Sequence, residues 1–326
     1  TRVVYFGTPA FAEPTLRRLA ADPAFEIVLV VSQPDRPAGR GQKLESPPVA
    51  RAARELGLHL YQPASLRTAE ARQPLVDARA DLFVVAAFGL IFGKNTLAIP
   101  RLGCVNLHAS LLPAYRGASP ILTAIAEGES ETGVTLMRMD AGLDTGDIIS
   151  SIAAPVTTTD TTESLAAVLA AAGAELAASE LPRFARGELR ARPQPGGATI
   201  TRMQTKDDGW IDWSRPATDL ERHVRAMWPW PRAWTTLGER VIQVHRAAVA
   251  EGGAALPGSV ISRKGALIVQ CGDGALALET VQSAGKGAMA GAAFASSVSA
   301  DAVFGLTGNP GPQPPLVSSA GPADGE

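Results

Sequence analysis

Apolar positions in the first half of the chain recur in two alternating rhythms. Short uninterrupted apolar runs occur at Val3–Gly7, which ends in a Gly-Thr-Pro turn, and at Ile27–Ser32, which is rich in β-branched residues. Three more strand patterns follow at Leu82–Ala87, the most apolar of all, Cys104–His108 and Thr132–Met139. Between them, Pro14–Ala21, Pro48–Leu56 and Pro120–Glu127 carry the spacing of helices. Strand and helix patterns in alternation predict an α/β fold with a doubly wound, mostly parallel sheet. Ligands of such a sheet sit beyond the carboxyl ends of its strands.

Two segments break the rhythm. Residues 33–48, QPDRPAGRGQKLESPP, form a Pro/Gly-rich loop too long for an ordinary strand-to-helix connection, and long loops in compact domains are often functional. Leu165–Arg186 is an Ala-rich helix, after which Gly187–Ala198 turns Pro/Gly-rich. The chain therefore divides into a first domain over 1–189, a linker over 190–205 and a second domain over 206–307. In the second domain short strands at Val241–His245, Gly258–Ile261, Leu267–Cys271 and Leu276–Val281 are separated by glycine turns, with one helix at Ala217–Met227. That pattern predicts a small β-barrel. Residues 308–326 are Gly, Pro, Ser and Ala with few apolar positions, and composition predicts a disordered tail.

At 326 residues the chain has room for two domains, and 46% hydrophobic with 19% charged residues is a globular composition. No run is read as long and apolar enough to span a bilayer, and the start Thr1-Arg2-Val3 lacks the features of a secretory signal. The expected location is cytoplasmic, with no membrane partner. Two cysteines, Cys104 and Cys271, are too few for a disulfide framework and lie in apolar runs, so they are expected to be buried thiols. A net charge of −2 does not point to a nucleic-acid binder, and such a partner would have to be met by local basic clusters.

The chemistry concentrates in two stretches. In Asn106-Leu107-His108-Ala109-Ser110-Leu111-Leu112-Pro113-Ala114-Tyr115-Arg116-Gly117, Asn106 and His108 are two apart on a strand and point to one face. An amide and an imidazole at the carboxyl end of an apolar strand are unusual for packing alone. The second stretch, Asp140-Ala141-Gly142-Leu143-Asp144-Thr145-Gly146-Asp147, is a glycine-punctuated acidic loop expected to converge on the same crevice. It is not a calcium loop of the EF-hand type, because the twelfth position from Asp140 is Ser151 rather than Glu; no metal is expected. Ser110 lacks the flanking glycines of a nucleophile elbow, and Gly7-Thr8-Pro9 is not a dinucleotide fingerprint, so no nucleotide cofactor is expected.

The runs GTPAFA, QPDRPAGRG, HASLLPAYRG and DAGLDTGD, with LERHVRAMWPWPRAW further on, resemble the folate-dependent formyltransferases, and within them the methionyl-tRNA formyltransferase family. The resemblance extends to about Met289; beyond it the basic, helical ending common in the family gives way to a polar tail. The Asn-x-His pair with a later Asp is shared across these formyltransferases, and the QPDRPAGRG insertion distinguishes the branch that acts on tRNA. The resemblance implies a Rossmann-like catalytic domain and an OB-like second domain. It implies formyl transfer from 10-formyltetrahydrofolate, as co-substrate, to the amino group of initiator methionyl-tRNA. It places Asn106, His108 and Asp144 at the reaction centre. The folate would lie against Ser110, Leu111, Leu112 and Pro113, with the pterin near Phe88, Gly89, Leu90 and Ile91. Arg36, Arg40 and Lys43, which give residues 33–43 a net charge of +2, would meet tRNA phosphates. The chain is expected to act as a monomer.

The residue types suit that reaction. Attack of an amine on a formyl carbon creates a tetrahedral oxyanion, and losing one donor aimed at such an oxygen costs ~2.7–4 kcal/mol. The Asn106 amide is one donor and a protonated His108 a second, charge-assisted one. A free imidazole titrates at about 6.5, so an anion beside it is needed to keep it charged, the part expected of Asp144. Asp144 could also relay the amine's proton through a water. Two rival readings stand: a formyltransferase for a small amine such as a nucleotide-sugar or glycinamide ribotide, and a non-catalytic RNA-binding protein that keeps the fold. Trp228, Trp230 and Trp234 are read as a packed corner rather than an RNA platform. His59, His223 and His245 have no partners in sequence and receive no role.

Overall fold

The computed structural model describes residues 1–38 and 43–320. The first part of the chain supplies strands β1 (Arg2–Gly7), β2 (Glu26–Val31), β3 (Arg36–Ala38), β4 (Lys43–Glu45), β5 (Leu60–Tyr61), β6 (Leu82–Ala86), β7 (Cys104–His108), β8 (Arg116–Gly117), β9 (Glu131–Arg138) and β10 (Ile148–Pro155). Its helices are α1 (Glu13–Ala20), α2 (Pro48–Glu55), α3 (Ala69–Asp77), α4 (Lys94–Leu97), α5 (Pro120–Glu127) and α6 (Thr162–Ala185). Seven strands form one sheet in the order β10-β9-β7-β6-β1-β2-β5. The five from β7 to β5 are parallel, whereas β9 runs antiparallel to β7 and β10 antiparallel to β9.

Both faces of this sheet are covered, which is why its central strands read as unbroken apolar runs rather than alternations. Val3, Tyr5, Val84, Val105 and Leu136 face α1, α2, α5 and α6. Val4, Phe6, Phe83, Val85 and Cys104 face the side of α3 and α4. Helix α6 begins at Thr161, whose hydroxyl accepts from Ser164 N while Ser164 Oγ accepts from Thr161 N, so two otherwise orphaned donors are satisfied reciprocally. Its 24 residues are long and apolar enough to cross a bilayer, which corrects the reading that no run is. The composition has a packing cause: Leu165, Leu169, Leu176 and Leu181 are buried against the sheet and α1.

The linker is not a free spacer. It contains β11 (Thr199–Thr201), which lies parallel to β8. Beyond it come α7 (Ala217–Ala226), then β12 (Ala233–Leu237), β13 (Arg240–Ala250), β14 (Val260–Ser262), β15 (Leu267–Gln270), β16 (Ala275–Ser283), β17 (Met289–Ala290) and the short α8 (Gly291–Phe294). These strands pair antiparallel in the order β12-β13-β16-β15-β14, with β17 on β16. Val303 and Phe304 bridge to Ser259 and Leu237, drawing the two ends of the sheet together into a curled half-barrel. Leu220 and Val224 of α7 continue the core that Leu122 and Ile125 of α5 begin, so one apolar cluster runs through both parts. The segment after Gly308, read from composition as disordered, carries β18 (Val317–Ser319), which pairs antiparallel with β11. Backbone pairing holds it, and Leu316 packs against the main apolar core. Cys104 and Cys271 are both buried, and burial pushes their thiols up to about 12 and about 11. Trp234 donates to Lys206 O and meets Trp210 edge-on, Trp228 lies against His245 and Arg232, and Trp230 is half exposed.

Candidate active site

Strand β7 delivers the first two groups. Alternation from the buried Cys104 puts Asn106 and His108 on the same sheet face, with Val105 and Leu107 on the other. Asn106 lies between Val85 of β6 and Met137 of β9, and His108 opposite Thr135. His108 is buried. Its Nε2 lies 2.8 Å from the Tyr115 carbonyl oxygen, which can only accept, so Nε2 carries a hydrogen. Its Nδ1 lies 3.6 Å from Asp144 Oδ2, close enough for charge attraction and too far for a good hydrogen bond. The half-buried Asn106 amide makes no side-chain hydrogen bond among the described residues.

Asp144 reaches this point by a route the sequence did not suggest. Because β9 is antiparallel, its end at Arg138 lies beside Val105, at the amino end of β7, so the acidic loop starts from the wrong end of the strand. It then folds back along it. Asp140 Oδ1 accepts from Gly142 N (3.0 Å) and Thr145 Oγ1 (2.7 Å), closing the turn. A Cβ on Gly146 would stand 1.8 Å from the Arg138 carbonyl oxygen, so only glycine lets the loop return so tightly. Asp144 itself takes a left-handed backbone, φ +52°, and Gly117 N donates to its Oδ2 at 2.9 Å.

The turn after His108 completes the frame. Tyr115 O and Gly117 N, which touch His108 and Asp144, are two residues apart, and the turn rests on the linker. Tyr115 N donates to Thr199 Oγ1 (2.8 Å), and Thr201 Oγ1 donates to Arg116 O (2.9 Å). Gly117 has φ +96°, and a Cβ there would stand 2.3 Å from Thr201 O. Tyr115 hydroxyl donates to Glu129; burial, then that carboxylate, holds the phenol above its usual range. Sequence reading gave no role to Gln194, Thr199 or Thr201. They sit in a Pro/Gly-rich stretch roughly eighty residues from the turn they support, and nothing local marks them.

Of the expected folate wall, Ser110 is fully buried and its hydroxyl donates to Ala114 O at 2.6 Å. Thr135, also buried, donates to Ser110 O (2.7 Å) and accepts from Leu112 N (3.1 Å), which fixes the segment. Leu112 is buried, while Leu111 and Pro113 are half-buried. Phe88 packs edge-on against Phe6 and Phe92, and its carbonyl accepts from Thr8 and Gln33. Gly89 is exposed, Leu90 half-buried, and Ile91 turns to solvent.

The basic insertion is a two-stranded ribbon, β3 paired antiparallel with β4, rather than a plain loop. Asp35 anchors its base, accepting from Ser46 and Gln62, and these bonds, Gln62 first, hold its carboxyl below the usual range. Arg36 is exposed and donates to Gln33 Oε1 at 2.8 Å, beside a cleft of about 340 Å³ lined by Thr8, Gln33, Ser46 and Arg51. Arg40 lies outside the described residues, and of Lys43 only the backbone falls within them. Among the described residues, no group of three or more His, Cys, Asp or Glu side chains is placed to hold a metal ion.

A doubly wound sheet followed by a curled antiparallel β-domain is the architecture of a formyltransferase. The family profile described as Formyl transferase matches residues 1–181, and that of the Formyl transferase, C-terminal domain, matches residues 204–299. The chain belongs to the methionyl-tRNA formyltransferase family: it is 45% identical to the methionyl-tRNA formyltransferase of Marinobacter nauticus over 284 residues, covering 86% of this chain and 91% of the relative. It is 47% identical to that of Pseudomonas fluorescens (strain SBW25) over 283 residues, covering 86% and 89%. Among solved structures the fold is shared with the sugar 3N-formyl transferase WlaRD (TM-score 0.64, 18% identity, 87% of this chain and 98% of that one). It is also shared with HypX from Aquifex aeolicus in complex with tetrahydrofolic acid (TM-score 0.59, 16% identity, 90% of this chain), of which this chain spans 46%.

Proposed function

We propose that this enzyme transfers the formyl group of 10-formyltetrahydrofolate to the α-amino group of initiator methionyl-tRNA, with Asn106, His108 and Asp144 as its reacting groups. The observation that carries the reading is the approach of Asp144 to His108, by a loop that must double back to reach it, with Asn106 on the same face of β7, in a chain of this family. The amine nitrogen bonds to the formyl carbon and the carbon–N10 bond breaks; the amine gives up a proton and N10 gains one. Between these events the formyl oxygen carries negative charge. The uncommitted amide of Asn106 donates to it, and His108 adds a second donor when that oxygen replaces the Tyr115 carbonyl at Nε2. Asp144 balances the charge of the imidazolium and passes the amine's proton on through a water. The amine has a reference pKa of roughly 7.7–8.0, so no strong base is required.

Residues 1–189 would carry the folate and the chemistry, with the wall of Ser110–Pro113 and the stretch Phe88–Ile91 along the carrier. Arg36, Arg40 and Lys43 on the ribbon, together with the second domain over 206–307, would hold the tRNA. The enzyme would work as a monomer in the cytoplasm, without a metal or a nucleotide cofactor. The test is to offer 10-formyltetrahydrofolate with methionyl initiator tRNA, an amino nucleotide-sugar or glycinamide ribotide. The expected result is rapid formylation of the tRNA and little of either small amine. Preference for a small amine would replace this reading with the rival one.

A further inference from the structure

By composition residues 190–205 are a spacer, yet one of their side chains is committed to the reaction centre on both of its ends. Gln194 Nε2 donates to Asp144 O and to Gly146 O, each at 2.8 Å. Its Oε1 accepts from Arg116 Nη2 at 2.8 Å and from Nε at 3.1 Å. Only an amide can do this: a carboxylate has no hydrogen for the carbonyls, and an ammonium no lone pair for the guanidinium. The two carbonyls straddle the Asp144 peptide and its neighbour, at a residue whose backbone is left-handed. Asp is among the non-glycine residues that enter that region, at a modest cost that contacts around it offset. Gln194 supplies such contacts from one side, and Gly117 N, on the carboxylate, from the other. Arg116, the third member, follows Tyr115, whose carbonyl holds His108. One linker side chain thus ties the Asp144 loop to the turn that carries the His108 contact.

We infer that Gln194 is a positioning residue for formyl transfer: it clamps the carbonyls of Asp144 and Gly146 so that the Asp144 carboxylate faces His108. This rests on the role proposed for Asp144. Gln194 touches no reacting atom, so its removal should act on the rate of the chemical step and not on the affinity for tRNA. Displacing a reacting group by about 1 Å costs up to ~10²-fold in rate.

The test is a double-mutant cycle read by kcat and by the KM for methionyl initiator tRNA. Gln194→Ala alone should lower kcat by about 10- to 100-fold, with KM within a few-fold of wild type and an unchanged melting temperature. Combined with Asp144→Asn, it should cost almost nothing further, because the carboxylate it positions is already gone. Gln194→Glu, which keeps the acceptor for Arg116 and loses the donor, should behave like Gln194→Ala, guarding against a mere loss of folding. A rate near wild type for both Gln194 variants, or losses that simply multiply with Asp144→Asn, would overturn the inference while leaving the site reading intact. A wild-type rate for Asp144→Asn alone would overturn the site reading itself.

Discussion

The proposed reaction centre and the basic ribbon both carry glycine-rich sequence, and among the described residues they are held in different ways. At the centre every turn is closed by a side chain: Asp140 on its own loop, Gly117 N on Asp144, Thr135 on Ser110 and Leu112, and Gln194 on Asp144 and Gly146. Among the described residues the ribbon is held at its base, by Asp35 with Ser46 and Gln62, and Arg36 is exposed. The contrast follows from the two tasks. Oxyanion stabilisation depends on donors fixed before the charge appears, whereas phosphate contacts are charge-driven and tolerate adjustment. Glycine serves the first by allowing close approach, as at Gly146.

The largest effect should come from the rigid side. Asn106→Ala and His108→Ala should each lower kcat by roughly two to three decades with tRNA binding nearly intact, the loss expected for one oxyanion donor. Steady-state formylation kinetics with binding measured separately would check this. Equal losses in binding would mean that the two groups serve the substrate rather than the transition state.

A second expectation concerns the frame beneath the centre. His223 on α7 is buried beside Asp208 and Gly209, and burial lowers its pKa to about 4. Since its folded value lies below the unfolded one of about 6.5, stability is full above that pH. It is then lost as pH falls toward 4, by about 3 kcal/mol in all. Urea midpoints at pH 7 and pH 4.5 should show this drop in wild type, and much less of it in His223→Leu. Identical pH dependence in both would place the acid sensitivity elsewhere.

The smallest effect belongs to the ribbon. Arg36→Ala should raise the KM for tRNA a few-fold, leave that for folate alone, and reduce the salt slope of tRNA binding by roughly one unit, the contribution of a single phosphate contact. A titration of affinity against salt decides it. Unchanged slope and affinity would make Arg36 an ordinary solvated charge.

The parts of the proposed centre that the sequence makes legible are those whose signals are local. Strand alternation alone puts Asn106 and His108 on one face, and the spacing of Gly142 and Gly146 marks a tight loop. The partners that hold them were not legible, because they come from far along the chain. Nothing near Gln194 announces that it meets Asp144, fifty residues earlier. The apolar run Thr132–Met139 looks the same whether its strand is parallel or antiparallel, and so the route of the Asp144 loop was hidden. The same limit applies to the tail: Val317–Ser319 is held by backbone pairing to Thr199–Thr201, and backbone hydrogen bonds leave no mark on composition. The second domain announced its strands through glycine turns, but its curling depends on Val303 and Phe304 returning to both ends of the sheet.

The most direct test of the proposed division between a reaction centre and a tRNA-holding ribbon is the single-turnover rate of formylation at saturating methionyl initiator tRNA and 10-formyltetrahydrofolate. It removes binding from the comparison and leaves only the chemical step. The account predicts that Arg36→Ala keeps the wild-type rate within about twofold while Asn106→Ala falls by about a hundredfold or more. A wild-type rate for Asn106→Ala, or a comparable fall for Arg36→Ala, would contradict it.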